Sequence, residues 1–289
     1  MSAVLSESST LFRLCRVAGI DGRDARLIRV CVNVVFHLPR ANAVARIASA
    51  ETATRARRVV HLAHWLEAIG FPAVRIHREV PEAILMDGQV ATFWEHLPQQ
   101  VGSPPVVRLA PLLRRLHAQI SPSPLPSWDP VTEARSNLRL AREVVHDRDR
   151  GLLLDWCDRL EAELPTLRRS LPYGLIHGDA WAGNLLWRGE GVVLCDFDQM
   201  CNGPRAWDLV PTAVNALRFG HPPADELLAA YGFDVTASAA FPLLRQVREL
   251  IMLTGVLPAL PDRPSIAGEF RRRVASLRGN GPDRWTPYG

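Results

Sequence analysis

Apolar and polar positions alternate in short runs over the first hundred residues. "ARLIRV", "NVVFHLP" and "NAVARIA" are β-branched or alternating segments, and the intervening "LPRAN", with Pro39 and Asn42, suits a hairpin turn. They predict a three-stranded antiparallel meander. From about Ser49 to Ile69 the period changes: Val59, Leu62, Ala63, Leu66 and Ile69 recur at three and four, and Gly70 with Pro72 supplies the stop. This predicts an amphipathic helix lying across the sheet. "AVRIHREV", "EAILMDG" and "QVATFWEHLP" read as further strands, with Asp87-Gly88 a two-residue turn. Residues 1–98 are thus expected to form a lobe of five antiparallel strands and one helix.

After Pro98 the pattern becomes helical. "QQVGSPP" is a joint, and 3.6-residue periodicity then runs through "VVRLAPLLRRLHAQI", Val131 to Val145, "LLLDWCDRLEAEL", "ELLAAYGF", "FPLLRQVRELIMLTGVL" and "IAGEFRRRVASLR". "SPSPLPSWDP" is an extended connector. Only "GLIHG" and "GVVLCDF" look strand-like here, as one ribbon embedded among helices. Residues 99–289 are expected to form a larger helical lobe, which makes the whole α+β and bilobal.

Composition narrows the function classes. A hydrophobic fraction of 47% supports a sizeable core, and no apolar run is long enough to span a membrane. The N-terminus lacks a secretory pattern, so a cytoplasmic location is expected. Five cysteines, Cys15, Cys31, Cys157, Cys195 and Cys201, are odd in number and without CxxC spacing, which predicts buried reduced thiols rather than disulfides or a thiolate metal cluster. All 34 basic residues are arginine, and the net charge of +4 is spread along the chain. "FRRRVASLR" reads as a solvated helix face, so neither nucleic-acid nor membrane binding is expected. No obligate protein partner is evident.

The chemistry lies in "IHGDAWAGNLL". Asp179 is a carboxylate, Asn184 a neutral oxygen donor, and Asp196, in "CDFDQ" twelve positions beyond Asn184, a second carboxylate. Two carboxylates and a carboxamide suit a hard cation such as Mg²⁺ and imply metal-assisted phosphate chemistry. A metallophosphatase would want paired histidines, and Leu185 follows Asn184; zinc lacks clustered His and Cys. Turn or cap roles for the same side chains are the alternative. The joint pattern, continuing into "GPRAWDL" with Asp208, favours a reaction centre.

These residues resemble the aminoglycoside phosphotransferase family, within the protein-kinase-like fold, most specifically over 175–210. The resemblance implies Asp179 as the base that orients an acceptor hydroxyl, Asn184 and Asp196 as ligands of Mg²⁺ on ATP or GTP, His177 as a brace and Asp208 as an anchor through backbone amides, with Asp198 close behind. Adenine would be gripped by the Glu95 carbonyl and Leu97 amide in "FWEHLP". Arg46, in "AVARIA", stands where kinases carry a lysine, and Val59 where the helix glutamate is usual. Asn33 stands in a hairpin without a glycine-rich phosphate loop. Trp181 replaces a second histidine beyond the HGD run; its indole would stack on an acceptor ring or close the site against water, with packing in the core beneath the loop as the alternative.

The expected function is transfer of a terminal phosphate to a hydroxyl of a small molecule, aminoglycoside-, amino sugar- or amino alcohol-like. Arg46, Val59 and Trp181 motivate the alternative, a catalytically silent nucleotide-binding or scaffold protein of the same fold. The acids beyond the loop, Asp225, Glu226, Asp234, Glu249, Asp262 and Glu269, are interleaved with arginines. Glu249 is singled out for an acceptor site because it interrupts an apolar helix face.

Overall fold

A computed structural model describes residues 2–30, 33–121, 123–261, 263–279 and 283–288. In chain order the elements are α1 (Ser2–Ala18), β1 (Arg26–Val30), β2 (Val34–Leu38), β3 (Ala43–Ser49), α2 (Ala53–Ala68), β4 (Ile84–Met86), β5 (Gln89–Glu95), α3 (Leu109–His117), α4 (Pro130–Leu140), α5 (Asp147–Ser170), β6 (Tyr173–Ile176), β7 (Leu185–Arg188), β8 (Gly191–Leu194), β9 (Cys201–Pro204), α6 (Val210–Phe219), α7 (Asp225–Tyr231), α8 (Phe241–Thr254) and α9 (Ala267–Leu277). They sort into two compact units, Met1–Pro104 with Gly183–Asp198, and Pro105–Ala182 with Gln199–Gly289. The sequence boundary at Pro98 counted 183–198 with the helical part, whereas this segment packs with the sheet. Among the described residues no helix is long and apolar enough to cross a membrane. Cys31 and Asp262 lie outside the described residues.

The first unit is built on an antiparallel sheet of order β1-β2-β3-β5-β4. Period-two alternation on β3 buries Ala43, Ala45 and Ile47 and turns Arg46 to the other face. The buried set joins Phe36, Leu38, Ala91 and Phe93, and is covered by Leu11, Leu14 and Cys15 of α1. No helix before β1 was expected, although α1 supplies these apolar positions. Helix α2 buries Val59, Val60, Leu62, Ala63 and Leu66 and packs against β5. Asp87 and Gly88 turn the β4–β5 hairpin with φ of 50° and 75°, the left-handed pair that a tight two-residue turn requires.

"AVRIHREV" is not a strand. Its backbone alternates between neighbours: Val74 N–H donates to the Leu194 carbonyl at 2.9 Å, and His77 N–H donates to the Phe93 carbonyl at 2.8 Å. The segment forms only isolated bridges, Ala73 to Leu194 and Ile76 to Trp94, because no single edge takes all its bonds. The same contacts fasten the β7–β8 hairpin to this unit, helped by Gln99 Oε1 accepting from Trp187 N–H at 3.0 Å.

The second unit is helical around α8, which packs against α4, α5, α6 and α9 and buries Leu244, Val247, Leu250 and Leu253. The single ribbon expected from sequence is two separate pairs. "GLIHG" forms β6 and pairs with β9, whereas "GVVLCDF" forms β8 and pairs with β7. No strand is expected at "CNGP", yet it forms β9, and Gly203 is needed in the pair, since a Cβ there would lie 2.8 Å from Trp128 Cβ.

Candidate active site

The loop leaving β6 is held from behind by one carboxylate. Asp208 sits in a 3-10 turn ahead of α6 and is 0% exposed. Its Oδ2 accepts from His177 N–H at 2.7 Å and its Oδ1 from Gly178 N–H at 2.8 Å. His117 of α3 brings Nε2 to 2.9 Å from the same Oδ2, and its Nδ1 lies 2.7 Å from the Tyr231 hydroxyl. A buried carboxylate is tolerated only when its lone pairs are filled in this way. Trp207 adds a bond from Nε1 to the Gly178 carbonyl at 2.7 Å.

These bonds force the chain through a conformation open to glycine. Gly178 has φ +86°, and a Cβ there would lie 2.2 Å from the Gln199 carbonyl oxygen. The chain then turns so that buried His177 accepts from Asp179 N–H through Nδ1 at 3.3 Å. Asp179 emerges at the surface of this unit with 31% of its side chain exposed. Its Oδ1 accepts from Nη1 of Arg248, on α8, at 2.8 Å. Trp181, two residues on, is half-buried.

The first unit holds the other two oxygen donors. Asn184 precedes β7, and its carbonyl accepts from Cys195 N–H at 3.0 Å, continuing the register in which Leu185 faces Leu194. Asn184 and Asp196 therefore stand at the same end of the ribbon. Asp196 has φ +65°, a left-handed conformation that aspartate tolerates better than most residues. The donors are all oxygen, so the set fits a hard divalent cation. Among the described residues no cluster of three or more His, Cys, Asp and Glu is arranged to hold a metal. Burial and the neighbouring Asp196 charge push the Cys195 thiol up to about 12, so it stays protonated.

Arg46 faces this ribbon end within the same unit. Its Nη2 donates to Asp198 Oδ2, and its Nη1 lies 3.7 Å from Asp196 Oδ1. Burial pushes the Asp198 carboxyl up, but the Arg46 charge and the hydrogen bond that Arg46 donates outweigh it, leaving the carboxyl below its ordinary value. Asn33, turned with its carboxamide oxygen towards Arg46, accepts from Nη2 at 2.5 Å and Nε at 3.0 Å. Val59 is buried in α2, and its neighbour Arg58 donates from Nη2 to the Asp198 carbonyl at 3.2 Å. The strand cation thus takes its counter-charge from the ribbon, and the helix adds a second cation instead of a glutamate.

Glu95 ends β5, where its N–H donates to the Arg75 carbonyl at 2.9 Å. The Leu97 carbonyl accepts from Gln99 Nε2 at 2.8 Å. Phe93 and Trp94 are both core residues. Glu249 is 3% exposed and its Oε1 accepts from Arg218 Nε at 2.8 Å and Arg245 Nε at 2.7 Å. That carboxylate is the shared partner of two arginines within the helical unit. Sequence reasoning missed Arg248, Arg58 and His117. His117 carried a readable signal, a polar residue on the apolar face formed by Leu109, Leu112, Leu113 and Leu116.

Residues 33–250 match the model of the phosphotransferase enzyme family, APH. Comparison with curated protein sequences finds no significant match. Among solved structures, the chain is similar to an amicoumacin kinase in complex with AMP-PNP and Ca²⁺, with a TM-score of 0.70, 13% identity and 98% of each chain covered. It is also similar to the aminoglycoside phosphotransferase APH(3'')-Id from Streptomyces rimosus, with a TM-score of 0.63, 16% identity, and 85% of this chain and 98% of that one covered. A choline/ethanolamine kinase family protein from Mesorhizobium loti gives a TM-score of 0.58 at 18% identity, with 96% and 94% covered. These structures share the α+β kinase-like fold with the chain. The chain belongs to the phosphotransferase enzyme family, which includes the aminoglycoside phosphotransferases.

Proposed function

We propose that this protein transfers the terminal phosphate of ATP or GTP, with Mg²⁺, to a hydroxyl of a small aminoglycoside-, amino sugar- or amino alcohol-like molecule. The observation that carries this reading is the placement of the oxygen donors. Asn184 and Asp196 share one end of the β7–β8 ribbon, and Asp179 stands on a loop that Asp208 holds through two main-chain bonds.

Asp179 accepts a hydrogen bond from the acceptor hydroxyl and aims its oxygen at the terminal phosphorus. A carboxylate is a weak base for an alcohol, so the proton moves late, as the new P–O bond forms and the bond to the leaving diphosphate breaks. The proton passes to Asp179 and then to water. Arg46 and Asn33 meet the nucleotide phosphates, and the backbone of Glu95 and Leu97 meets the base. Mg²⁺ held by Asn184 and Asp196 would neutralise phosphate charge. His177 and Asp208 position the loop, and Trp181 borders the acceptor.

The test is incubation with Mg²⁺, ATP and a panel of aminoglycosides, amino sugars and amino alcohols. Wild type is expected to yield phosphorylated product. Asp179→Asn is expected to lose about 10²–10⁴-fold in turnover while binding nucleotide as before. Wild type and variant equally inert across the panel would sink the proposal. The ion pair between Arg46 and Asp198 favours the second reading, a silent nucleotide-binding or scaffold protein, because a cation shared with Asp198 gives the transferring phosphate less charge neutralisation. Calorimetry showing tight nucleotide binding without product would support that alternative.

A further inference from the structure

The Asp179 carboxylate already has a cation of its own. Arg248 donates from Nη1 to Asp179 Oδ1 at 2.8 Å, its side chain is 12% exposed, and its Nε is buried with no hydrogen-bond partner. Guanidinium carries five donors and stays charged at any working pH. An ammonium arriving beside the reacting hydroxyl would therefore meet a like charge at short range, in a partly buried setting where repulsion is poorly screened. An oxygen in the same place would meet hydrogen-bond donors.

The acids Asp225, Glu226, Asp234, Glu249 and Glu269, which follow the loop in the sequence, do not reverse this balance. Asp234 caps its own turn through Thr236, Glu249 is held by Arg218 and Arg245, and Glu269 is held by Arg272 and Arg273. Asp225 and Glu226 are exposed in the first turn of α7.

We infer that Arg248 selects an acceptor whose reacting hydroxyl is flanked by an oxygen group, a hydroxyl, carbonyl or carboxylate, and not by an ammonium. The inference rests on the phosphotransferase reading above and narrows its acceptor range: an amino sugar fits only when its amine is remote from the hydroxyl that reacts. Aminoglycosides that present an ammonium next to that hydroxyl, and simple 2-amino alcohols, are disfavoured.

Matched acceptors isolate the neighbouring group. Glycerol and glycerate are compared with 2-aminopropane-1,3-diol, and myo-inositol with 2-deoxystreptamine, by following ADP release with Mg·ATP. In wild type the oxygen-flanked member of each set is expected to have a kcat/KM at least tenfold higher. Arg248→Met should bring the ratio close to one, and Arg248→Lys should restore part of it. Preference for the aminated member in wild type, or a ratio unchanged in Arg248→Met, overturns the inference while leaving phosphotransfer intact. Absence of transfer to every acceptor defeats the phosphotransferase reading instead. Binding then decides the inference, with Mg·AMP-PNP present. Thermal stabilisation of wild type, but not Arg248→Met, by the oxygen-flanked compounds supports it, and equal, reversed or absent stabilisation overturns it.

Discussion

Arg46, on β3, and Asp198, two residues beyond Asp196, form a direct ion pair inside the first unit. The family resemblance implies a lysine–glutamate pair between this strand and helix, whereas here the strand carries Arg46 and its acid is Asp198. Its acid comes from the ribbon because α2 places Val59 in the core. Removing either charge should be worse than removing both, since a lone, largely buried carboxylate loses its compensation. Arg46→Met is expected to lower stability by about 1–3 kcal/mol, and Arg46→Met with Asp198→Asn to recover much of that loss. Urea denaturation of the two single variants and the double variant measures the coupling. In the same proteins, nucleotide affinity should fall about tenfold whenever Arg46 is absent, by loss of a charge-assisted bond to phosphate.

Asp208 is the residue on which the HGD loop depends. Both carboxylate oxygens accept main-chain N–H groups, and His117 shares one of them. Asparagine has the same shape but must turn an NH₂ group against one of those N–H donors. Asp208→Asn is therefore expected to cost about 3 kcal/mol and to lower turnover more than it raises KM for nucleotide. Denaturation curves and steady-state kinetics on the same preparation check both.

Gly178 allows no side chain. Alanine there would adopt a positive φ and drive its Cβ into a main-chain carbonyl of Gln199, which cannot swing aside as a side-chain tip would. The expected loss is about 3 kcal/mol or more. Gly189 makes a useful control, because it also has positive φ but would meet nothing within 4 Å. Gly189→Ala should cost about 1 kcal/mol, the backbone component alone. Similar losses at the two positions would contradict the packing argument.

Much of the fold was legible because its strongest elements have clean periods. The β2–β3 meander, α2 and α8 each follow from apolar spacing, and Asp87-Gly88 from turn chemistry. Other elements were hidden for identifiable reasons. Strand β9 is "CNGP", whose glycine is needed by packing that only the fold creates. Helix α1 has an apolar stripe, but Ser6, Ser8, Ser9 and Thr10 dilute its period with residues that favour caps and turns. "AVRIHREV" alternates like a strand but divides its bonds between β5 and β8. At the candidate site, the loop composition pointed to Asp179, Asn184 and Asp196 as neighbours along the chain. The pairing of Asp179 with Arg248 was out of reach, because 69 positions separate the two and only tertiary packing brings α8 to the loop.

Glu269 carries a pH dependence whose sign can be worked out. Burial pushes its carboxyl up, but bonds from Arg273 Nε at 3.0 Å, Thr286 N–H at 2.8 Å and Arg272 Nε at 2.8 Å outweigh it and hold the carboxyl below the ordinary value. The unfolded chain therefore binds this proton more readily than the folded one. Stability from Glu269 is complete above the unfolded value, near 4.3 for glutamate, and is lost as pH falls through the lower folded value. Arg273 is buried and stacked on Tyr288, its guanidinium carbon 3.6 Å from the ring centroid, so it remains in place when the carboxylate is neutralised. Glu269→Gln should destabilise the protein by about 1–3 kcal/mol at pH 7 and by progressively less below pH 4, until its denaturation midpoint meets that of wild type. A difference between the two proteins that stays constant from pH 7 to pH 3 would show that the lost interaction is packing and not charge.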